Sequence, residues 1–480
     1  MKLLFITALL VVWISPMRGT PCKTVLRVKQ EAMEYACQTQ RRPLQQAFGI
    51  ISIPSVIQGT GGGIFGLGLV DKAMKLAGIQ ILEVKLPELN VKLVPNVGLQ
   101  VSIDTHFHIS GNLAIAGNIE IKAGAGVVAD MKVSRAAKGF PLLSVSACKS
   151  VLGEIKVTAG GFGVLNVIAN AVKGHIEAIL RDRLCVSVSN VFLDFNANLG
   201  MLVGVAAIGE GLGLQYTIPS PPVVTGDYMD FDMNVEYQVE EKTVVIPNGA
   251  KDFTLPPTAG NKDSMVNMGF SADFFISMFT AFQSSGGFNM EIPSTSASVG
   301  SYLRTSLLGS YITEINKRYK EALPVYMKIV LSQTPIVTLQ ANQLLIQISP
   351  YVELFVVTPN MRLQHLMTLN VGATLIGKLD VKGGKIKASV ALGGDLNIAI
   401  ASSSFGSCGC KADCSDSIPQ PSVLNGYMRD IFEKAYLLEL NAALSVGVSL
   451  PSLPNVQVIH EVIEVQEKYV VMSGDVIYTK

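Results

Sequence analysis

Two hydrophobic periods alternate along the chain. From Ile79 to about Val157 apolar residues recur at every second position, as in VGLQVSIDTHFHIS, where Val101, Ile103, Phe107 and Ile109 share one face and Ser102, Asp104, His106 and His108 the other. One apolar and one wet face predicts antiparallel strands. The period then lengthens. Over 164–184, Val164, Ile168, Val172, Ile176 and Ile179 form one helical stripe, and Glu177 and Arg181 make a favourable i,i+4 pair off it. The earlier segment KTVLRVKQEAMEYACQ places Val25, Leu26, Ala32, Met33 and Ala36 on one side and is read as an amphipathic helix.

The second half repeats this plan without evident sequence identity. SMVNMGFSADFFISMFTAF predicts a helix carrying Phe270, Phe274, Met278 and Phe282 on one side, and amphipathic runs recur at 301–320 and 425–442. Period-two segments such as ANQLLIQISPYVELFVV and GGKIKASVALGGDLNIAIA lie between them. Residues 218–262 hold six of the 22 prolines and mark a boundary, although YMDFDMNVEYQVEE within them alternates well enough to be a strand. The expected class is α+β, with each half a twisted antiparallel sheet wrapped on long helices. The expected segments are a leader at 1–20, an N-terminal barrel at 21–217, a Pro-rich linker with a central-sheet strand at 218–262, and a C-terminal barrel at 263–480.

In the leader, Lys2 precedes LLFITALLVVWI and a small-residue stretch from Ser15 to Thr20, the pattern of a cleaved secretory signal peptide. No later apolar run is long and uninterrupted enough to predict a transmembrane helix. Charge is scarce and balanced: 38 Lys plus Arg against 37 Asp plus Glu, 16% of residues in all, with 49% hydrophobic. That balance argues against a nucleic-acid partner. The low charge implies either a weakly polar surface or apolar side chains facing an internal space.

Seven cysteines in an oxidising compartment leave at least one outside an intramolecular pair. Cys148 and Cys185 are the expected disulfide, tying a strand to the long helix. Cys22 and Cys37, at opposite ends of the first amphipathic segment, are too far apart to bond if it is helical. Cys408, Cys410 and Cys414 fall in a Gly- and Ser-rich loop without a nearby histidine, a poor zinc site.

Other chemistry is thin. Gly61, Gly63 and Gly66 match a dinucleotide-binding spacing, but the surrounding periodicity is antiparallel, so GTGGGIFGLG is read as a Gly-rich loop and no cofactor is expected. Asp104, His106 and His108 share a strand face that is expected to point to solvent, and no metal site is expected. His175, His365 and His460 stand alone in sequence, and neither G-x-S-x-G nor HExxH occurs. A secreted hydrolase assembled from distant positions is kept as an outside alternative.

As an ordered set, four features resemble the bactericidal/permeability-increasing (BPI), lipopolysaccharide-binding and PLUNC family, in its two-domain family B branch. They are LVPNVGLQVSI at 93–103, Cys148 with Cys185, DSMVNMGFSADFFISMF at 263–279, and the terminal segment 449–480. The resemblance implies a boomerang of two similar barrels, each closed by a long helix, meeting at a central sheet. It implies a secreted, non-enzymatic protein holding phospholipid or similar amphiphiles in apolar pockets, serving mucosal innate defence, with a lipopolysaccharide-binding antimicrobial role as the alternative. By position, Met33, Ala36, Ile168, Val172, Ile176, Phe270, Phe274 and Phe275 become candidates for the pockets. The segment matching the family's basic tip, HISGNLAIAGNIEIKAGAGVVADMKV, holds only Lys122 and Lys132, which argues against strong lipid A binding.

Overall fold

A computed structural model describes residues 21–55, 76–113, 117–137, 139–159, 166–200, 203–209, 211–245, 249–405 and 421–479. The leader, the Gly-rich stretch around Gly61 to Gly66, and Cys408, Cys410 and Cys414 lie outside these residues.

The described residues form three antiparallel sheets. In the N-terminal half, Leu76–Lys85, Leu89–Val94, Gly98–Leu113, Gly117–Arg135 and Pro141–Ala159 make a five-stranded sheet. Its long strands carry the expected alternation: Val101, Ile103, Phe107 and Ile109 are buried, while Asp104 and His106 are exposed. In the C-terminal half a nine-stranded sheet runs in the order Met290–Ile292, Val325–Val330, Tyr351–Val357, Leu363–Val381, Gln343–Ile348, Ile336–Gln340. Lys385–Leu392, Asn397–Ser403 and Val448–Ser449 attach beside that path.

The third sheet joins the halves. Its order is Val456–Gln466, Tyr469–Tyr478, Val266–Ser271, Cys22–Lys29, Tyr228–Val239, Leu212–Thr217, Gly204–Gly209. The first strand of the chain therefore sits in the middle, pairing Cys22 with Val235 on one side and Thr24 with Phe270 on the other.

That placement corrects the reading of KTVLRVKQEAMEYACQ as one helix. Cys22–Lys29 is a strand, and α1 (Gln30–Thr39) begins only after it. The local pattern misleads because both faces of this strand are covered, so apolar residues do not alternate with polar ones. Two ladders of long-range pairing then outweigh a weak helical preference. The helical distance argument for Cys22 and Cys37 falls with it, yet both thiols are free and buried. The run after Ser264 divides in the same way, into the fully buried strand Val266–Ser271 and the helix that follows it.

Helix α2 (Arg41–Gly49) follows α1. Helix α3 (Asn166–Leu199) is longer than the stripe at 164–184 indicated and lies along Pro141–Ala159 and against α2. Helix α4 (Ala272–Ser284) packs on the central strands Cys22–Lys29 and Tyr228–Val239. Two short helices, α5 (Thr305–Tyr311) and α6 (Thr313–Arg318), fill the 301–320 run. The 425–442 run is α7 (Asn425–Ile431) and α8 (Leu437–Leu444), joined by a π-helical turn at Phe432–Tyr436. No described helix is long and apolar enough to cross a membrane.

Candidate functional site

In the N-terminal half, α3 is fastened to the sheet at three levels. Cys148 and Cys185 are disulfide-bonded with their Cα atoms 5.8 Å apart. Near them, Ser150 Oγ donates to the Arg181 carbonyl at 3.1 Å. Towards the end of α3, buried Asn196 clamps Leu143, donating to its carbonyl and accepting from its N–H, both at 2.7 Å. Asn196 is one of five asparagines on this helix, so no sequence signal singled it out for this clamp, and a buried amide costs least when both its ends are paired. Val172 and Ile176 are fully buried in the seam, and the stripe continues through Leu180, Leu184 and Val188. The Glu177–Arg181 pair closes on the outside at 2.6 Å. Met33 and Ala36 on α1 are half-buried, with Met33 packed against the core, while the Ile168 side chain lies outside the described residues.

The C-terminal half holds an apolar cavity of about 220 Å³. Helix α4 and the residue after it contribute Met278, Phe279, Phe282 and Ser285; α8 and the turn beyond it contribute Ala443, Leu444, Val446 and Gly447, and Val448 opens the strand that follows. Ile386 and Ala388 come from the neighbouring strand, and Ile208, Leu212 and Tyr237 from the last three strands of the central sheet. The wall is therefore assembled from both halves of the sequence. Phe282 is seated by a packing constraint: its ring lies over Gly287, where an added Cβ would come within 2.4 Å. Phe270, Phe274 and Phe275 sit deeper, in a fully buried aromatic cluster with ring centroids 4.8 to 6.4 Å apart. The cavity opens one turn further along α4, at Met278 and Phe282, which lie on the helical stripe read from the sequence.

Beneath α4 the central sheet carries a buried polar group. Cys22 Sγ donates to the Val235 carbonyl at 3.1 Å, and burial pushes its pKa up to about 12. Tyr216 donates to the Ser449 carbonyl at 2.9 Å. Burial also raises the Tyr216 and Tyr237 phenols above their ordinary value. Cys37, buried on α1, is raised to about 11 for the same reason. Such thiols are inert rather than nucleophilic.

The wet face of the N-terminal sheet forms a trough of about 1140 Å³, floored by Gly124, Gly126 and Gly153 and walled by Asp104, His106, His108, Glu83, Lys85, Lys122, Glu154 and Lys156. His108 Nε2 lies 3.6 Å from Glu120. No three His, Cys, Asp or Glu side chains converge on a metal-binding arrangement among the described residues. His460, which looked solitary in sequence, pairs with Asp475 on the adjacent strand at 3.0 Å in an exposed setting.

Comparison with known proteins places this architecture. The profile of the LBP / BPI / CETP family N-terminal domain matches residues 32–195, and that of the C-terminal domain matches residues 206–478. The chain belongs to the LBP/BPI/CETP family. Human BPI fold-containing family B member 2 is 29% identical over 455 residues, covering 95% of this chain and 94% of that protein. Human family B member 4 is 26% identical, over 85% of this chain and 65% of that protein. The bactericidal permeability-increasing protein of Sebastes schlegelii is 23% identical over 95% of both. A crystal structure of lipopolysaccharide binding protein superposes with a TM-score of 0.62 at 17% identity, over 96% of this chain and 100% of that one, a likeness of fold. Two antiparallel half-barrels with helices, meeting at a shared sheet, are thus the BPI fold.

Proposed function

We propose that this protein is a secreted, non-enzymatic carrier of phospholipid or similar amphiphiles, acting in mucosal innate defence. The observation that carries the reading is the apolar cavity between α4, α8 and the central sheet, walled by Met278, Phe279, Phe282, Ile386 and Leu444. A hydrocarbon chain gains about 0.8 kcal/mol for each CH₂ removed from water, before ordering costs. The cavity is smaller than the ~300–1,000 Å³ of drug-sized pockets, so it suits part of one acyl chain better than a whole two-chain lipid. In the N-terminal half, Met33, Ala36, Ile168, Val172 and Ile176 are proposed as the corresponding lipid-facing set. The units 21–217 and 263–480, with 218–262 between them, are taken as the two lipid-handling bodies.

Mass spectrometry of an organic extract of the purified protein tests this. Lipid at near-stoichiometric ratio is expected, and folded protein that neither co-purifies with lipid nor takes up labelled phospholipid from vesicles overturns the reading.

Lipopolysaccharide recognition with antimicrobial action is the alternative, supported by relatives whose names carry it. The trough on the N-terminal sheet disfavours it. Lys122 and Lys156 are direct cross-strand partners, but Lys156 is paired with Glu154 at 3.1 Å, and Glu83 and Asp104 line the same trough. A mixed-charge surface does not attract clustered lipid A phosphates as a basic one would.

A further inference from the structure

Tyr237 is only 1% exposed, lies on the strand Tyr228–Val239, and forms part of the cavity wall. Its hydroxyl is shielded from solvent and has no hydrogen-bond partner among the described residues. Its neighbours Tyr216 and Cys22 are satisfied by the Ser449 and Val235 carbonyls, and of the unpaired hydroxyls near α4, which include Thr24 and Ser271, Tyr237 is the one on a residue that lines the cavity. The Tyr237 ring is held edge-on against Phe274, with centroids 5.7 Å apart. A buried hydroxyl without a partner is disfavoured and rare in folded proteins. Phenylalanine would fill the same space without that cost. An unpaired donor on a residue that lines a largely apolar cavity is therefore a feature that a ligand can complete.

We infer that Tyr237 is the polar anchor of the C-terminal cavity, donating a hydrogen bond from Oη to the carbonyl oxygen of an acyl ester or protonated carboxylic acid whose chain lies along Met278, Phe279, Phe282 and Leu444. This rests on the lipid-carrier reading and narrows it: the cavity selects chains with a neutral acceptor at one end over plain hydrocarbon. The acceptor is neutral because an ionised carboxylate loses its hydration in an apolar wall that offers no cation among its lining residues. The raised affinity of the Tyr237 phenol for its proton, caused first by burial, keeps it a donor throughout the physiological range.

The test uses the full-length, lipid-stripped protein and its Tyr237→Phe variant. Each is titrated with methyl decanoate, decanoic acid and decane delivered from cyclodextrin. One hydrogen bond predicts roughly three- to tenfold weaker ester binding by Tyr237→Phe, with decane binding unchanged. Decanoic acid should behave like the ester at low pH and lose affinity as it ionises, which separates a fatty-acid source from an ester source. In the wild-type protein alone, the infrared carbonyl stretch of ¹³C=O methyl decanoate should shift to lower frequency than in hydrocarbon solvent. An unshifted carbonyl, or equal losses of ester and decane in the variant, overturns the anchor role. Wild-type protein that binds none of the three compounds overturns the lipid-carrier reading instead.

Discussion

Arg27 and Asp230, 203 positions apart, form a two-point ion pair with Nε–Oδ1 and Nη2–Oδ2 distances both 2.8 Å. The guanidinium is 2% exposed, stacks on Tyr228 at 3.9 Å from the ring centroid, and donates to the carbonyls of Leu255, Pro256 and Pro257. One side chain thus pins the first strand, its neighbour, and the Pro-rich segment that covers the sheet.

Asp230→Ala leaves that guanidinium buried without its counter-charge and should cost roughly 3 kcal/mol of stability. Urea unfolding of the wild type and variant measures it. A midpoint unchanged within error would mean that the three carbonyls alone satisfy Arg27.

Removing the bridge with Cys148→Ser and Cys185→Ser should cost about 4 kcal/mol in the chain-entropy model for residues 37 positions apart. Hydrogen exchange should quicken first in α3, because apolar packing and the Ser150–Arg181 and Asn196–Leu143 contacts then hold the helix without a covalent tie. Non-reducing peptide mapping that finds Cys148 free in the wild-type protein would contradict the pairing itself.

Ala388→Phe places a ring in the cavity between α4 and α8. It should lower lipid occupancy roughly tenfold while overpacking costs about 1–3 kcal/mol. Unchanged uptake by folded variant protein would remove this cavity from the binding account.

The buried Cys22 thiol predicts an alkaline effect. Its pKa rises from 9.0 to about 12 on folding, so between those values the folded state keeps a proton that the unfolded state has lost. Stability therefore falls as pH rises through this window, by up to about 1.4 kcal/mol per pH unit for this group. Urea midpoints at pH 8 and pH 10.5 should diverge more for the wild type than for Cys22→Ala. Equal divergence would assign the effect to Cys37 and the buried tyrosines.

Lipopolysaccharide binding should be weak and salt-sensitive, since Lys122 and Lys156 share their trough with Glu83, Glu154 and Asp104. Surface plasmon resonance at about 0.15 M salt tests it. Nanomolar affinity there would restore the endotoxin-recognition alternative.

What the sequence revealed depends on how many faces of an element are buried. Gly98–Leu113 has one wet face, so its alternation could be read directly, and the α3 stripe through Val172 and Ile176 was legible for the same reason. Cys22–Lys29 is covered on one face by α4 and on the other through the Arg27 contacts with residues 255–257, which erased its period. The cavity was half visible. Met278 and Phe282 lay on the stripe already identified, but Ile208, Leu212, Ile386 and Val448 arrive from separate strands, and no local pattern announces such a convergence. Tyr237 was readable as a strand residue, while its unpaired hydroxyl depends on neighbours that only folding supplies.

The central position of Cys22–Lys29 also sets a timetable. During synthesis this strand emerges early, and its partner across the Arg27–Asp230 pair follows 203 residues later. At ~5–20 residues per second that wait is roughly 10–40 s. For all of that time the segment from Cys22 to Lys29 has both edges unpaired, while the N-terminal sheet and α3 can already close on themselves. A nearly finished first half thus emerges from the ribosome carrying an open strand, a natural point for chaperone capture and for pairing between neighbouring nascent chains.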